Sequence, residues 1–73
     1  MIAKLSYRKL RNEMVEKNLK QESFAEMIGI SDRHVRNLCN RDMNISVSLC
    51  YRLSIALKTS MESLLVIYEE EDE

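Results

Sequence analysis

Apolar residues recur at helical spacing in five segments of the 73-residue chain, which are separated by short polar connectors. A serine stands just before the first, third, fourth and fifth segments, where its side chain can cap the start of a helix. The pattern therefore predicts five short helices. Their apolar positions are Tyr7, Leu10 and Met14; Phe24, Met27 and Ile28; Val35, Leu38 and Cys39; Val47, Leu49, Cys50, Leu53, Ala56 and Leu57; and Met61, Leu64 and Leu65.

The second and third segments are separated by the chain's only glycine, Gly29. Glycine adopts the left-handed conformation that ends a helix without a steric cost. Ala25 is small enough for a second helix to cross closely, and Ser31 can cap that helix. The spacing predicts a helix-turn-helix over residues 21–38, a motif that most often binds DNA.

The predicted third helix has an apolar face and a polar face, because each residue advances it by roughly 100°. The polar face carries Arg33, Arg36 and Asn37. Arginine can bind guanine, and asparagine can bind adenine, through two hydrogen bonds each. Asp32, four residues before Arg36, can hold that guanidinium or accept a bond from a cytosine amine. The alternative is an ordinary solvated face with a surface ion pair.

The charge distribution favours an anionic ligand more than the net charge of −1 does. Residues 1–41 hold nine Lys and Arg against five Asp and Glu, whereas residues 42–73 hold two against seven. Five of those seven acids are the last five residues. A run of like charges repels itself and stays solvated. We therefore expect one domain over residues 1–68 and a disordered acidic tail over residues 69–73.

The composition narrows the fold and function classes. No proline, a single glycine and 5% aromatic residues favour an all-α fold. The absence of a signal segment and of a membrane-length apolar run, together with two cysteines in predicted helices, predicts a cytoplasmic protein with reduced thiols. His34, Cys39 and Cys50 do not have zinc-ligand spacing. We expect no metal, cofactor or small-molecule ligand, and no enzymatic activity.

The stretch from Gln21 to Ser31, QESFAEMIGIS, resembles the Cro and phage-repressor (XRE-type) helix-turn-helix family. The resemblance extends over residues 6–66. It implies a five-helix, lambda-repressor-like bundle that binds double-stranded DNA as a homodimer, with the helix after Ser31 in the major groove. By position, it makes four residues base-facing: Asp32, Arg33, Arg36 and Asn37. Lys20, Gln21, Asn40 and Arg41 then lie against the DNA backbone.

The sequence departs from the family pattern in three ways, at four positions. Lys20 stands where the family has a Ser or Thr cap, and Arg41 stands where it often has glycine. Many members carry a buried arginine at the position of Met14 and a buried glutamate at that of Cys39. Replacing a whole buried ion pair with apolar side chains is often neutral or stabilising. We therefore predict that Met14 packs against Cys39.

These features predict a sequence-specific, DNA-binding transcriptional regulator, most simply a repressor that binds a palindromic operator as a dimer. The apolar C-terminal residues Val66, Ile67 and Tyr68 are the predicted dimer contact, and burial within their own chain is the alternative. The second hypothesis for function is a helix-turn-helix protein-interaction module, similar to an antitoxin partner. The acidic isoelectric point of about 5.8 favours it.

Overall fold

The computed structural model describes residues 2–68, in which four α-helices form a bundle and a short sheet joins the first and last of the described residues. The two strands pair antiparallel, with Ile2 opposite Tyr68 and Leu5 opposite Leu65. The elements in chain order are β1 (Ile2–Leu5), α1 (Tyr7–Glu16), α2 (Gln21–Ile28), α3 (Asp32–Leu38), α4 (Val47–Leu57), a single 3₁₀ turn (Met61–Leu64) and β2 (Leu65–Tyr68).

The prediction of an all-α bundle with five helices is wrong at its fifth helix. Ser60 does cap a helical start, since its Oγ accepts the Ser63 N–H at 3.2 Å. Only one 3₁₀ turn follows, and residues 65–68 then form a strand. Their sequence, Leu-Val-Ile-Tyr, is rich in β-branched and aromatic side chains, which favour a pleated surface. The partner strand is formed by residues 2–5, about 60 positions earlier in the sequence.

The core lies between the helices and one face of the sheet. Its fully buried side chains include residues from every element except β2: Leu5, Leu10, Phe24, Val35, Leu38, Leu53, Leu57 and Leu64. Met27 and Val47 were predicted to face this core, but 54% of Met27 and 75% of Val47 are exposed. The acidic tail, residues 69–73, lies outside the described residues. Among residues 2–68, no helix is both long and apolar enough to cross a membrane.

The contact predicted between Met14 and Cys39 is confirmed. The Cys39 Sγ lies 3.8 Å from the Met14 Sδ, and 2% of Cys39 and 5% of Met14 are exposed. Burial raises the pKa of the Cys39 thiol. An apolar sulfur pair therefore joins α1 to the end of α3 where the resemblance implies an ion pair in other members.

Candidate nucleic-acid interface

The turn between α2 and α3 is formed as the glycine spacing predicts. Gly29 has a φ of +82°, and its N–H donates to the Ala25 carbonyl at 2.8 Å. The Ile30 N–H donates to the same carbonyl at 3.1 Å. A Cβ at position 29 would meet its nearest neighbour, Arg52 Nη1, only at 4.0 Å. Glycine is therefore favoured here by the backbone conformation and not by lack of space.

Helix α3 is held at its start and along one side. Ser31 Oγ accepts the His34 N–H at 3.0 Å, which is the predicted cap. Val35 and Leu38 are completely buried. Because one side of this seven-residue helix is anchored in the core, the opposite side faces solvent in a defined orientation.

The exposed side of α3 carries the four residues predicted to face DNA bases. Asp32, Arg33, Arg36 and Asn37 are all exposed. The one ion pair among the described residues joins Lys17 and Glu13. Asp32 therefore does not hold the Arg36 guanidinium, which was one of the two roles that the sequence suggested for it. The guanidinium groups of Arg33 and Arg36 have no hydrogen-bond or ion-pair partner within residues 2–68. Their donors are therefore available to a ligand.

The four residues predicted to contact the DNA backbone are also exposed, in two pairs beside α3. Lys20 and Gln21 lie at the start of α2, where Lys20 makes no side-chain cap bond, as expected from the missing Ser or Thr. Asn40 and Arg41 follow the end of α3, and the Asn40 N–H donates to the Asn37 carbonyl at 3.2 Å. The chain therefore leaves α3 through a turn that does not need the family's glycine.

The start of α2 and the end of α3 lie close together and line one groove of about 330 Å³. Lys20 and Gln21 line it together with Cys39. Arg11 of α1 also lines this groove and is exposed, although the sequence interpretation did not include it. Its position three residues before Met14 was the available signal, because that spacing puts the two residues on neighbouring turns of one helix face.

Asp42 is a second residue whose role the sequence did not predict. Its Oδ1 accepts the Tyr7 N–H at 3.1 Å, and its Oδ2 accepts the Tyr68 hydroxyl. These two hydrogen bonds hold the pKa of the Asp42 carboxyl below its ordinary value, and the bond from Tyr68 has the larger effect. The Lys4 ammonium lies 5.0 Å from the Tyr68 ring centroid. Asp42 therefore ties the connector after α3 to the start of α1 and to β2.

The three residues predicted to form a dimer contact alternate between the two faces of the sheet. Val66 pairs with Lys4 and is half-buried. Ile67 pairs with Ala3 on the other face, and 52% of it is exposed. Tyr68 is 41% exposed and bonds to Asp42. The strand therefore directs Ile67 to one surface of the molecule and Val66 and Tyr68 to another.

Comparison with known proteins gives one family and similar folds. A family model described as helix-turn-helix matches residues 8–64. No curated protein matches the chain significantly. The restriction-modification controller protein C.AhdI from Aeromonas hydrophila is 24% identical, with a TM-score of 0.71 over 78% of this chain and 86% of that one. The transcriptional regulator VanUg (form II) is 18% identical, with a TM-score of 0.73 over 96% and 92%. At these identities, both structures show a shared fold.

Proposed function

The chain belongs to the XRE-type helix-turn-helix family, whose members are DNA-binding regulators and not enzymes, and we propose that it represses transcription by binding a specific duplex sequence in the cytoplasm. One observation carries the proposal. The anchored helix α3 presents the side chains of Arg33, Arg36 and Asn37 to solvent, and these side chains have no hydrogen-bond or ion-pair partner among the described residues. A helix with that outer face fits the major groove and can bind base edges.

The roles of the exposed side chains follow from their chemistry. Arg33 and Arg36 bind guanine, Asn37 binds adenine, and Asp32 accepts a bond from a cytosine amine. The residues beside α3 fix its register by contacting phosphates, which carry no sequence information. These backbone contacts are Lys20, Gln21, Asn40 and Arg41.

A homodimer completes the proposed binding mode. A recognition helix of seven residues reaches few base pairs, so two copies on half-sites about 34 Å apart give useful affinity and a palindromic operator. The C-terminal strand contributes to the contact between the copies, either through Ile67 or through Val66 and Tyr68, because these residues lie on opposite faces of the sheet.

Duplex binding measured by fluorescence anisotropy over a range of salt concentrations tests this function. We expect Arg41→Ala to weaken binding to all sequences alike and to reduce the salt slope by about one. Arg36→Ala should cost about 1–3 kcal/mol and relax the preference at one base pair. Lys58→Asn is the control, because it removes an exposed cation at the end of α4 and suits the left-handed backbone there (φ +54°).

The proposal fails if no duplex binds at low salt, even to a chain lacking residues 69–73. Binding with a shallow salt slope and no base preference would instead support the protein-interaction module.

A further inference from the structure

Helix α4 has a second apolar face, which points away from the core. Val47, Tyr51 and Ile55 lie at positions i, i+4 and i+8, and their exposed fractions are 75%, 58% and 59%. A surface helix normally carries polar residues on the side opposite its buried stripe. On the core side of α4, Leu53 and Leu57 are fully buried and pack into the core. The core of residues 2–68 is therefore complete without the exposed parts of the stripe.

The stripe is part of a larger apolar patch that extends beyond both ends of α4. At one end, Met27 of α2 lines a groove of about 390 Å³ with Tyr51 and Ile55. At the other end, Val47 borders the sheet face that carries Ala3 and Leu65, and Ile67 lies on this same face. We call this patch the α4 surface. Its members are Met27, Val47, Tyr51, Ile55 and Ile67.

The size of the α4 surface is unusual for a small monomer. Its five side chains expose on the order of 500 Å², which is near the upper end of the largest apolar patch on a typical monomer. Two such surfaces in full contact remove about 1,000 Å² from water, which is the lower limit for a specific protein interface.

We propose that a second copy of this chain covers the α4 surface, with the two α4 helices crossing at Tyr51 on a two-fold axis. The symmetry of the stripe points to this occupant. A two-fold rotation about Tyr51 brings Val47 of one copy against Ile55 of the other, and Tyr51 against its equivalent. Such a contact is isologous. Ridges formed by residues four apart pack well against each other, at a crossing angle of about −50°.

The charges and the position of α3 are compatible with this contact. Arg52 lines the groove beside Tyr51 and Ile55, and its Nη1 donates to the Ile28 carbonyl at 2.8 Å. This bond holds the guanidinium toward α2, and the three stripe residues themselves are uncharged. Neither groove bordering the α4 surface is lined by a residue of α3. The recognition helix of each copy therefore stays accessible. The inference rests on the proposed function only for the biological need for two copies.

Cross-linking of single-cysteine additions tests the two-fold geometry directly. With a short bismaleimide, Tyr51→Cys should form a covalent dimer with itself. Val47→Cys should cross-link poorly alone but well when mixed with Ile55→Cys. The native Cys39 and Cys50 are 2% and 3% exposed, so their background reaction is small. Val15→Cys is the matched control, because Val15 is 77% exposed on α1 and lies outside the α4 surface.

Sedimentation equilibrium of the full chain tests the energetics. We expect the unchanged protein to dimerise and Tyr51→Glu to raise its dimer dissociation constant roughly 30-fold or more, as the loss of an aromatic hot spot does. Val15→Glu should leave it unchanged. Far-ultraviolet circular dichroism establishes that both variants are folded.

Three outcomes would overturn the inference. They are a monomeric unchanged protein at concentrations up to ~1 mM, a Tyr51→Glu variant that dimerises normally, or a Tyr51→Cys yield no higher than that of Val15→Cys. Failure of the proposed function is distinguishable, because folded Tyr51→Glu should still bind an isolated half-site at low salt as tightly as the unchanged protein. If the unchanged protein binds no duplex, the function fails and the dimer result stands by itself.

Discussion

Replacing Cys39 with glutamate places a carboxylate against the Met14 sulfur inside the bundle. The two side chains are 2% and 5% exposed, and their sulfur atoms lie 3.8 Å apart. An unpaired buried charge costs about 3–5 kcal/mol, and we expect Cys39→Glu to lie at the lower end of this range because the exposed Arg11 lines the same groove. A domain of 73 residues has a total stability of only about 4–11 kcal/mol. Cys39→Glu alone, or Met14→Arg alone, should therefore remove most of the free energy of unfolding.

The double variant Met14→Arg/Cys39→Glu should recover much of this loss, because it builds the ion pair that the family resemblance implies. We expect it to be about 0–4 kcal/mol less stable than the unchanged protein, since a packed apolar pair is often as stable as an ion pair or more so. The assay is urea unfolding followed by circular dichroism for all four members of the cycle. A coupling energy of about 2 kcal/mol or more is expected.

Val15→Arg is the control for this cycle. It puts the same cation one residue further along α1, at a side chain that is 77% exposed, and should change stability by less than about 0.5 kcal/mol. Strictly additive losses in the double variant, or a loss below about 1 kcal/mol in either single variant, would refute the reasoning from direct burial and contact.

Three further predictions concern the turn, the uncapped helix and the sheet. Gly29→Ala should cost about 1 kcal/mol in urea unfolding because φ is +82°, and Gly29→Asn should cost less; equal costs would contradict the backbone argument. Lys20→Ser should stabilise the fold by about 0.5–1 kcal/mol by supplying the missing cap, yet weaken duplex binding; a loss of stability would contradict the cap assignment. Hydrogen bonds from Tyr68 and the Tyr7 N–H lower the pKa of Asp42. The contribution of Asp42 to the free energy of unfolding is therefore fully present above the ordinary carboxyl pKa and is lost as the pH falls through the lowered pKa. Asp42→Asn should therefore flatten the acid side of the stability–pH curve, and an unchanged slope would contradict this.

The helix-turn-helix could be predicted from the sequence because its determinants are local. Gly29 ends α2 and Ser31 caps α3 through contacts within a few residues, and the apolar spacing orients each helix. The last element could not be predicted in the same way. Residues 65–68 form a strand because residues 2–5 lie beside them, and this long-range pairing leaves no signal in local periodicity.

The candidate site shows the same division between local and long-range information. The exposed positions of Arg33, Arg36 and Asn37 follow from the period of one helix. The role of Asp42 depends on Tyr7 and Tyr68, which are 35 and 26 residues away in the sequence. The α4 surface was missed for a different reason. An apolar residue such as Val47 gives the same signal in the sequence whether it faces its own core or a second molecule.

Selection of duplexes from a random-sequence pool by the full chain is the most direct test of the central claim. We predict enrichment of a two-fold symmetric motif whose half-sites lie about one helical turn apart. Arg36→Ala should lose the preference at one symmetric pair of positions, and Lys58→Asn should retain the complete motif. A pool that stays random after selection at low salt, with the chain folded throughout, would contradict the account.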